Sequence, residues 1–503
     1  MFPAPPTFED LNVWAALPVI ILSLWASVLL VADRFINNKF YVAAYSLLGV
    51  GISLVIALFQ AGDLFDIGES GTAFEGMFMA DQFTYVVNIV ALISAAIGIL
   101  ISYEYLERTK LDRGEYYILL MFSAAGAMLM GSSNNLSMIF ISLELLSIPL
   151  YILSGIRRPQ EESEESAMKY FLLGAFSSSF LVYGIALVFG AAGSLDLGEI
   201  VVVAQTISEQ EATQRYLLLI GAGLITVGLG FKVAAVPFHM WTPDVYQGAP
   251  TPVTAYMSSV AKVGGFAAFL RVLVTGLPII AEGGDAAVWV DTLQILAALT
   301  LLLGNLVAIM QYDLKRLLAY SSIAHAGYIL IALAAGGVPG VGDSAAQAAL
   351  VYLAAYAFTN IGAFAVVAAI EKDDSTGTTM DDIKGLAVKR PWLAGAMSVF
   401  MFSLTGIPLT AGFIGKFWVF RAAMDAGLEP LAVLGVLTSA ISAFYYVRVV
   451  WNMYFETGDA VVPERQQYLT SGLVITAAGT LILGLLPFIL ENLVRDASLA
   501  ILR

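Results

Sequence analysis

Four ionisable residues stand where an apolar segment should carry none. Glu144 lies in MIFISLELLSIPLYIL, Lys232 in LITVGLGFKVAAVPFHMW, Lys262 in AYMSSVAKVGGFAAFL and Lys416 in LTGIPLTAGFIGKFWVF. An ionisable side chain at the centre of a membrane helix costs about 2.5–3.5 kcal/mol on insertion scales, so such residues are rare and usually functional. A static ion pair gluing helices together would account for any one of them. It accounts poorly for three lysines against one central glutamate, because the charges do not balance. Desolvation and like-charge neighbours disfavour the charged form of a lysine, and a lysine that exchanges its proton readily is a proton carrier.

His325, in KRLLAYSSIAHAGYILIAL, is either a hydrogen-bonded helix residue or a proton relay near neutral pH. Its neighbours Ser321, Ser322 and Tyr328 could hold water. Lys169, in SAMKYFLLG, is either an anchor at the interface or a link from the aqueous phase to Glu144 or Lys232. His239, beside Trp241, reads as an interfacial or loop-bonding residue. Ser177–Ser179, Ser258, Ser259, Thr359 and Asn360 read mainly as close helix packing, and the EESEES run at 161–166 as a solvated loop.

Two prolines accompany the lysines. Pro237 follows Lys232 and Pro408 precedes Lys416. Proline removes a helix hydrogen bond and clashes with the preceding turn, and in lipid the freed carbonyls must find water or protein. The order is lysine then proline in one segment and proline then lysine in the other, as expected of an inverted repeat with discontinuous helices.

The elements that must carry these residues are membrane spans. The 503-residue chain is 59% hydrophobic and 13% charged, with a mean hydropathy of +0.83, whereas soluble domains carry about 25% charged residues. A net charge of −15 excludes a basic nucleic-acid face. The lack of cysteine excludes disulfides, iron–sulfur clusters and thiolate metal sites, and two histidines argue against a histidine-rich metal or haem site. The first apolar stretch, with its acidic PTFED flank, reads as a true span and not a signal peptide.

A span needs about 20 mainly apolar residues. Fourteen windows qualify, near 12–32, 40–60, 81–102, 115–132, 135–156, 167–192, 216–239, 252–275, 288–310, 317–337, 345–370, 392–424, 430–453 and 468–490. The window at 392–424 is too long for one straight helix and reads as a broken one. The expected architecture is an all-α polytopic membrane protein of about fourteen helices. It comprises an N-terminal group at 1–110, a five-helix repeat at 111–276 (spans 4–8), a second at 285–455 (spans 9–13) and a last span at 456–503, with spans 7 and 12 broken.

Arg and Lys concentrate in the odd-numbered loops: Arg34 and Lys39; Arg108, Lys110 and Arg113; Arg157 and Arg158; Lys315 and Arg316; Lys372, Lys384, Lys389 and Arg390; Arg465. The even-numbered loops, Arg215 apart, are poor in both and often acidic, with Asp63, Asp66, Glu69 and Glu75 in one and Asp196, Glu199, Glu209 and Glu211 in another. The positive side is expected to be cytoplasmic and both termini to lie on the other.

The segments LELLSIPLYIL, ESAMKYFLLGAFSS, FKVAAVPFHMWTPDVYQGAPTPVTAYMSSVAKVGGF, DLKRLLAYSSIAHAGY and GIPLTAGFIGKF resemble the antiporter-like membrane subunits of respiratory complex I and of Mrp-type cation/proton antiporters. The resemblance runs from about the third span to the thirteenth. It implies that Glu144 pairs with Lys232, that Lys262, His325 and Lys416 continue a proton route across the membrane plane, and that redox-driven quinone reduction proceeds in other subunits. It further implies no cofactor in this chain, neighbouring membrane subunits as partners, and a bacterial cell membrane location. The chain stops soon after its fourteenth span, without the lateral helix of the largest complex I homologue. It also has Lys416 where the middle homologue carries glutamate. The alternative within the resemblance is a sodium/proton antiporter subunit driven by ion gradients alone.

Overall fold

The computed structural model describes residues 11–62, 71–206, 212–277, 285–373, 376–458, 460 and 466–499. Six helices come first: α1 Leu17–Ala32, α2 Lys39–Ala61, α3 Gln82–Arg108, α4 Gly114–Ser132, α5 Leu136–Ser154 and α6 Glu161–Ala192. Then follow α7 Leu197–Thr206, α8 Ala212–Val233, α9 Thr242–Gly248, α10 Thr251–Leu270, α11 Asp285–Ile309, α12 Leu314–Gly336 and α13 Gly342–Ile370. The last are α14 Leu386–Lys389, α15 Pro391–Thr405, α16 Ala411–Asp425, α17 Glu429–Tyr454, α18 Gln467–Leu485 and α19 Phe488–Val494. A two-stranded hairpin, β1 Thr72–Ala73 and β2 Phe78–Met79, precedes α3.

Among the described residues, thirteen helices are long and apolar enough to cross a membrane. The window at 392–424 is two shorter helices, α15 and α16. The protein is thus a multi-pass membrane protein. Side-chain oxygens at the helix starts accept orphan backbone N–H groups, as N-caps do: Asp81 from Thr84 at 2.9 Å for α3, and Asp313 from Arg316 at 2.9 Å for α12. Two sequence expectations need correction. The 161–166 run opens α6, where Glu161, Glu162 and Glu164 occupy the first turn and face the positive end of the helix dipole. The segment near 194–214 contains α7, which Asp196 caps by accepting from the Glu199 N–H at 3.1 Å.

The middle of the bundle is α3, α10, α12 and α13, which are buried along most of their length, while α1, α2, α6, α11, α17 and α18 turn apolar faces outward. Lys262 and His325 ride on the two most enclosed helices, α10 and α12. The helix neighbourhoods repeat. In the first half α4 packs on α5, α6 on α8, and α10 on α4 and α5; in the second α11 packs on α12, α13 on α15 and α16, and α17 on α11 and α12. Glycine allows the close approach in both halves. A Cβ on Gly126 of α4 would meet the Leu146 backbone at 2.3 Å, and one on Gly304 of α11 would meet the Ala324 backbone at 2.6 Å.

The odd-numbered loops gather on one face. Arg108 and Arg157 both reach Glu371, Arg316 reaches Asp244, and Thr378 donates to Asp313. The opposite face collects the hairpin, the start of α7 and the region of α19: Asn134 donates to Gly76 and Asp196, and Gln82 to the Leu493 carbonyl. Of the charges in the sequence pattern, Asp63, Asp66, Glu69, Glu209, Glu211 and Arg465 lie outside the described residues.

Candidate functional site

Both broken spans end their first half in the same way. α8 stops at Val233, and Ala234 takes φ 63. The Ala235 N–H reaches back to the Gly230 carbonyl at 2.8 Å. α15 stops at Thr405, Gly406 takes φ 92, and the Ile407 N–H reaches the Phe402 carbonyl at 3.0 Å. This is the Schellman closure, with a left-handed residue and a six-to-one hydrogen bond. Pro237 and Pro408 follow and prevent either helix from continuing. The span at 216–239, expected to be broken, is helical only to Val233, because the closure precedes the proline.

The closures leave carbonyls free, and lysines take them. Lys416 donates to the carbonyls of Leu404 at 2.9 Å and Thr405 at 2.8 Å, and to Ser439 Oγ at 2.7 Å. At the other break the donor is Lys262, whose Nζ lies 3.1 Å from the Val233 carbonyl. By contact, the counterpart of Lys416 is therefore Lys262 on the neighbouring helix, not Lys232 on the broken helix itself.

Lys232 points the other way. Its Nζ donates to Ser147 Oγ at 2.8 Å and Tyr170 OH at 3.3 Å. Tyr170 is stacked on Trp241 with ring centres 4.4 Å apart. Glu144 is half-buried, one turn before Ser147 on α5, and accepts from Ser178 of α6 at 2.5 Å. The direct Glu144–Lys232 ion pair implied by the resemblance is absent among the described residues. The two charges sit on separate hydroxyl partners, Ser178 for Glu144 and Ser147 for Lys232, and the Glu144 field still reaches Lys232.

His325 is held between two phenols: Nδ1 lies 2.6 Å from Tyr352 OH and Nε2 3.1 Å from Tyr446 OH. Tyr446 also bonds Ser321, and Tyr356 donates to Ser322 at 2.9 Å. Lys416 lies over the Tyr328 ring at 4.7 Å, and that ring abuts His325. The ammoniums of Lys262 and Lys416 both act on His325 through their fields. A cavity of about 10 Å³ beside His325, Tyr352, Tyr356 and Thr359 has room for about one water. Lys232, Lys262, His325 and Lys416 are all at most 4% exposed. The arrangement is a set of buried ionisable groups seated on hydroxyls and helix-break carbonyls, with the Glu144 carboxylate one turn before the Ser147 that Lys232 bonds.

Sequence reasoning passed over Ser147, Tyr170, Tyr352, Tyr446 and Ser439. One signal was available: Tyr352, Tyr356, Thr359 and Asn360 recur at i, i+4, i+7 and i+8, which marks one helix face. Tyr170 and Tyr446 carry no such pattern. Lys169, on α6, pairs with two carboxylates. Its Nζ lies 2.6 Å from Asp244 and 2.6 Å from Glu165, and no described contact ties it to Glu144 or Lys232. His239 is half-buried in the break after α8, with its Nδ1 lacking a described partner.

Asp244, on the short α9, also accepts from Arg316 at 2.7 Å. Partial burial pushes its carboxyl up, but Lys169 and Arg316 together outweigh that and hold it below its ordinary value. A carboxyl lowered on folding contributes stability above its unfolded pKa, and loses that contribution as pH falls through its folded value. Asp244→Asn should therefore lower the thermal midpoint of the assembled complex at about pH 7. The difference from wild type should close as pH falls below about 4. Thermal denaturation at several pH values checks this, and a pH-independent difference would contradict it.

These features define a class: a polytopic membrane protein with discontinuous helices and ionisable groups strung through its interior. The transmembrane family described as NADH:quinone oxidoreductase/Mrp antiporter matches residues 133–442. NADH-quinone oxidoreductase subunit N 2 of Roseiflexus castenholzii is 44% identical, over 92% of this chain and 92% of that protein. Subunit N of Trichlorobacter lovleyi is 43% identical, over 97% and 98%. A chain of respiratory complex I from Thermus thermophilus, solved with bound aureothin, is 34% identical, with a TM-score of 0.78 over 96% of this chain and 99% of that one. The chain belongs to the NADH-quinone oxidoreductase subunit N family of antiporter-like membrane subunits.

Proposed function

We propose that this chain is a proton-translocating membrane-arm subunit of NADH-quinone oxidoreductase, and that Glu144, Lys232, Lys262, His325 and Lys416 are its proton relay. The chain works without redox chemistry or a cofactor of its own, and its partners are the other membrane subunits. The observation that carries the reading is the pair of lysines, Lys262 and Lys416, seated on the freed carbonyls of two alike helix breaks. Half-exposed Glu144 in the middle of α5 fits a line that continues into a neighbouring subunit, because a carboxylate facing lipid is costly. The repeated helix neighbourhoods support two five-helix units, spans 4–8 and 9–13. The gathered Arg and Lys loops support a cytoplasmic positive face in a bacterial cell membrane, with both termini opposite.

In the mechanism, redox chemistry elsewhere changes the distance between Glu144 and Lys232. Together, the carboxylate strengthens the lysine's hold on its proton; apart, as in this structure, the proton is released toward Lys262, His325 and Lys416. Two unit charges 4 Å apart interact by about 4 kcal/mol at an effective dielectric of 20, about a thousandfold in proton binding. Lys416 and Tyr352 then hold or pass the proton at the far end.

Purification from detergent-solubilised membranes, followed by reconstitution in sealed vesicles, tests the assignment. Co-isolation with NADH-oxidising subunits and NADH-driven proton movement are the expected results. Isolation without them, with proton exchange driven by a sodium gradient alone, would instead establish the Mrp-type antiporter reading.

A further inference from the structure

Beyond the relay, one buried acid has no role yet. Glu371 directly follows α13 on the positive face and is 0% exposed. Its Oε1 faces Arg157 Nη1 at 3.4 Å, longer than the about 2.7–2.9 Å of a strong charge-assisted bond. Its Oε2 accepts from the Thr251 hydroxyl at the start of α10. Arg108 donates to its backbone carbonyl at 2.7 Å and pairs with the exposed Asp373 at 3.5 Å. Tyr105 bonds Arg157, and the Lys315 ammonium, held on the Ala249 carbonyl, completes the charged surroundings.

From Thr251 a polar stripe runs inward. Thr251, Thr254, Ser258 and Lys262 occupy i, i+3, i+7 and i+11 of α10, one helix face. α13 answers it in antiparallel order: Glu371 meets Thr251, and Asn360 Nδ2 donates to Ser258 Oγ at 2.6 Å. One turn further, Tyr356 packs on His325. Asn360 Oδ1 is buried with no partner among the described residues, an unused acceptor between the two helices. Successive side chains on such a face lie about 5–6 Å apart, a gap that one bridging water spans.

We propose that Glu371 is the proton-uptake carboxylate of the positive face, and that the α10–α13 seam through Thr251, Thr254 and Ser258 delivers protons to Lys262. A proton from water binds the Glu371 carboxylate and loosens its contact with Arg157. Glu371 then gives it to the seam, where each hydroxyl or water accepts one proton and donates another, and the neutral Lys262 amine becomes the ammonium. Asn360 is a positioning residue that orients Ser258. Arg157, Arg108, Lys315, Tyr105 and Asp373 surround the carboxylate throughout.

The proposal rests on Lys262 being part of the relay, and the test separates the two. NADH-driven proton uptake is measured on assembled complexes in vesicles for Lys262→Met, Glu371→Gln, Glu371→Asp and Asn360→Leu. Glu371→Gln should slow pumping by about 10–100-fold at about pH 8, and by less at about pH 6 where protons are more abundant, with most of the rate restored in Glu371→Asp. Asn360→Leu, away from the ion pair, should slow pumping with the same pH trend. Normal pumping by Asn360→Leu, or a Glu371→Gln deficit that does not vary with pH, overturns the proposal. If Glu371→Gln does not assemble, Asn360→Leu decides. Normal pumping by Lys262→Met instead sinks the relay reading itself, and the uptake path with it.

Discussion

Lys232→Ala is expected to abolish proton translocation while leaving the subunit folded. Among the described residues the ammonium is the one charged group hydrogen-bonded to Ser147 and Tyr170, and it lies within the Glu144 field. In the proposed mechanism, removing it takes away the group whose proton affinity Glu144 controls, and about 4 kcal/mol of switchable interaction with it. No charge is stranded. Glu144 keeps Ser178, Ser147 keeps the Leu143 carbonyl, and Tyr170 keeps its stack on Trp241. The expected pattern is normal assembly and normal NADH oxidation by an artificial acceptor, with proton uptake in vesicles reduced by at least about 100-fold. A variant that assembles and pumps at the wild-type rate would remove Lys232 from the mechanism.

Lys416→Ala should lose both transport and stability, and the second loss is what sets it apart. Its Nζ serves the Leu404 and Thr405 carbonyls and the Ser439 hydroxyl. Ser439 also donates to Thr405 at 3.0 Å, so one carbonyl retains a partner. The Leu404 carbonyl at the break would have none described, and a buried acceptor left unpaired costs about 1–3 kcal/mol. The thermal midpoint of the purified complex should fall for Lys416→Ala and stay near wild type for Lys232→Ala, although both stop pumping. Equal midpoints for the two variants would show that Lys416 does not hold the second helix break.

Much of this was legible in the residues. Apolar windows placed the spans, and the charges inside them placed Glu144, Lys232, Lys262 and Lys416, because lipid makes each of them expensive. Pro237 and Pro408 marked both breaks, although proline only follows the closures that Ala234 and Gly406 make. The partners were much less legible. A lysine's acceptor can be a backbone carbonyl on another helix, as Val233 is for Lys262, and no residue type announces that. Tyr170, Tyr446 and Ser439 are ordinary residues of apolar helices until packing turns their hydroxyls toward a charge. Glu371 is one charge among several in the loop after α13, and only the fold brings Thr251 and Arg157 over it. The Glu144–Lys232 pair inferred from resemblance is likewise a matter of geometry, and here each charge has its own hydroxyl.

The central claim is that buried lysines carry the pumped protons. The number of protons translocated per NADH, measured side by side for wild type, Lys232→Ala and Lys416→Ala complexes in the same vesicles, tests it most directly. The account predicts a lower ratio in both variants at equal rates of NADH oxidation by an artificial acceptor. Ratios equal to wild type in both would contradict it and leave the lysines as static fasteners of the helix bundle.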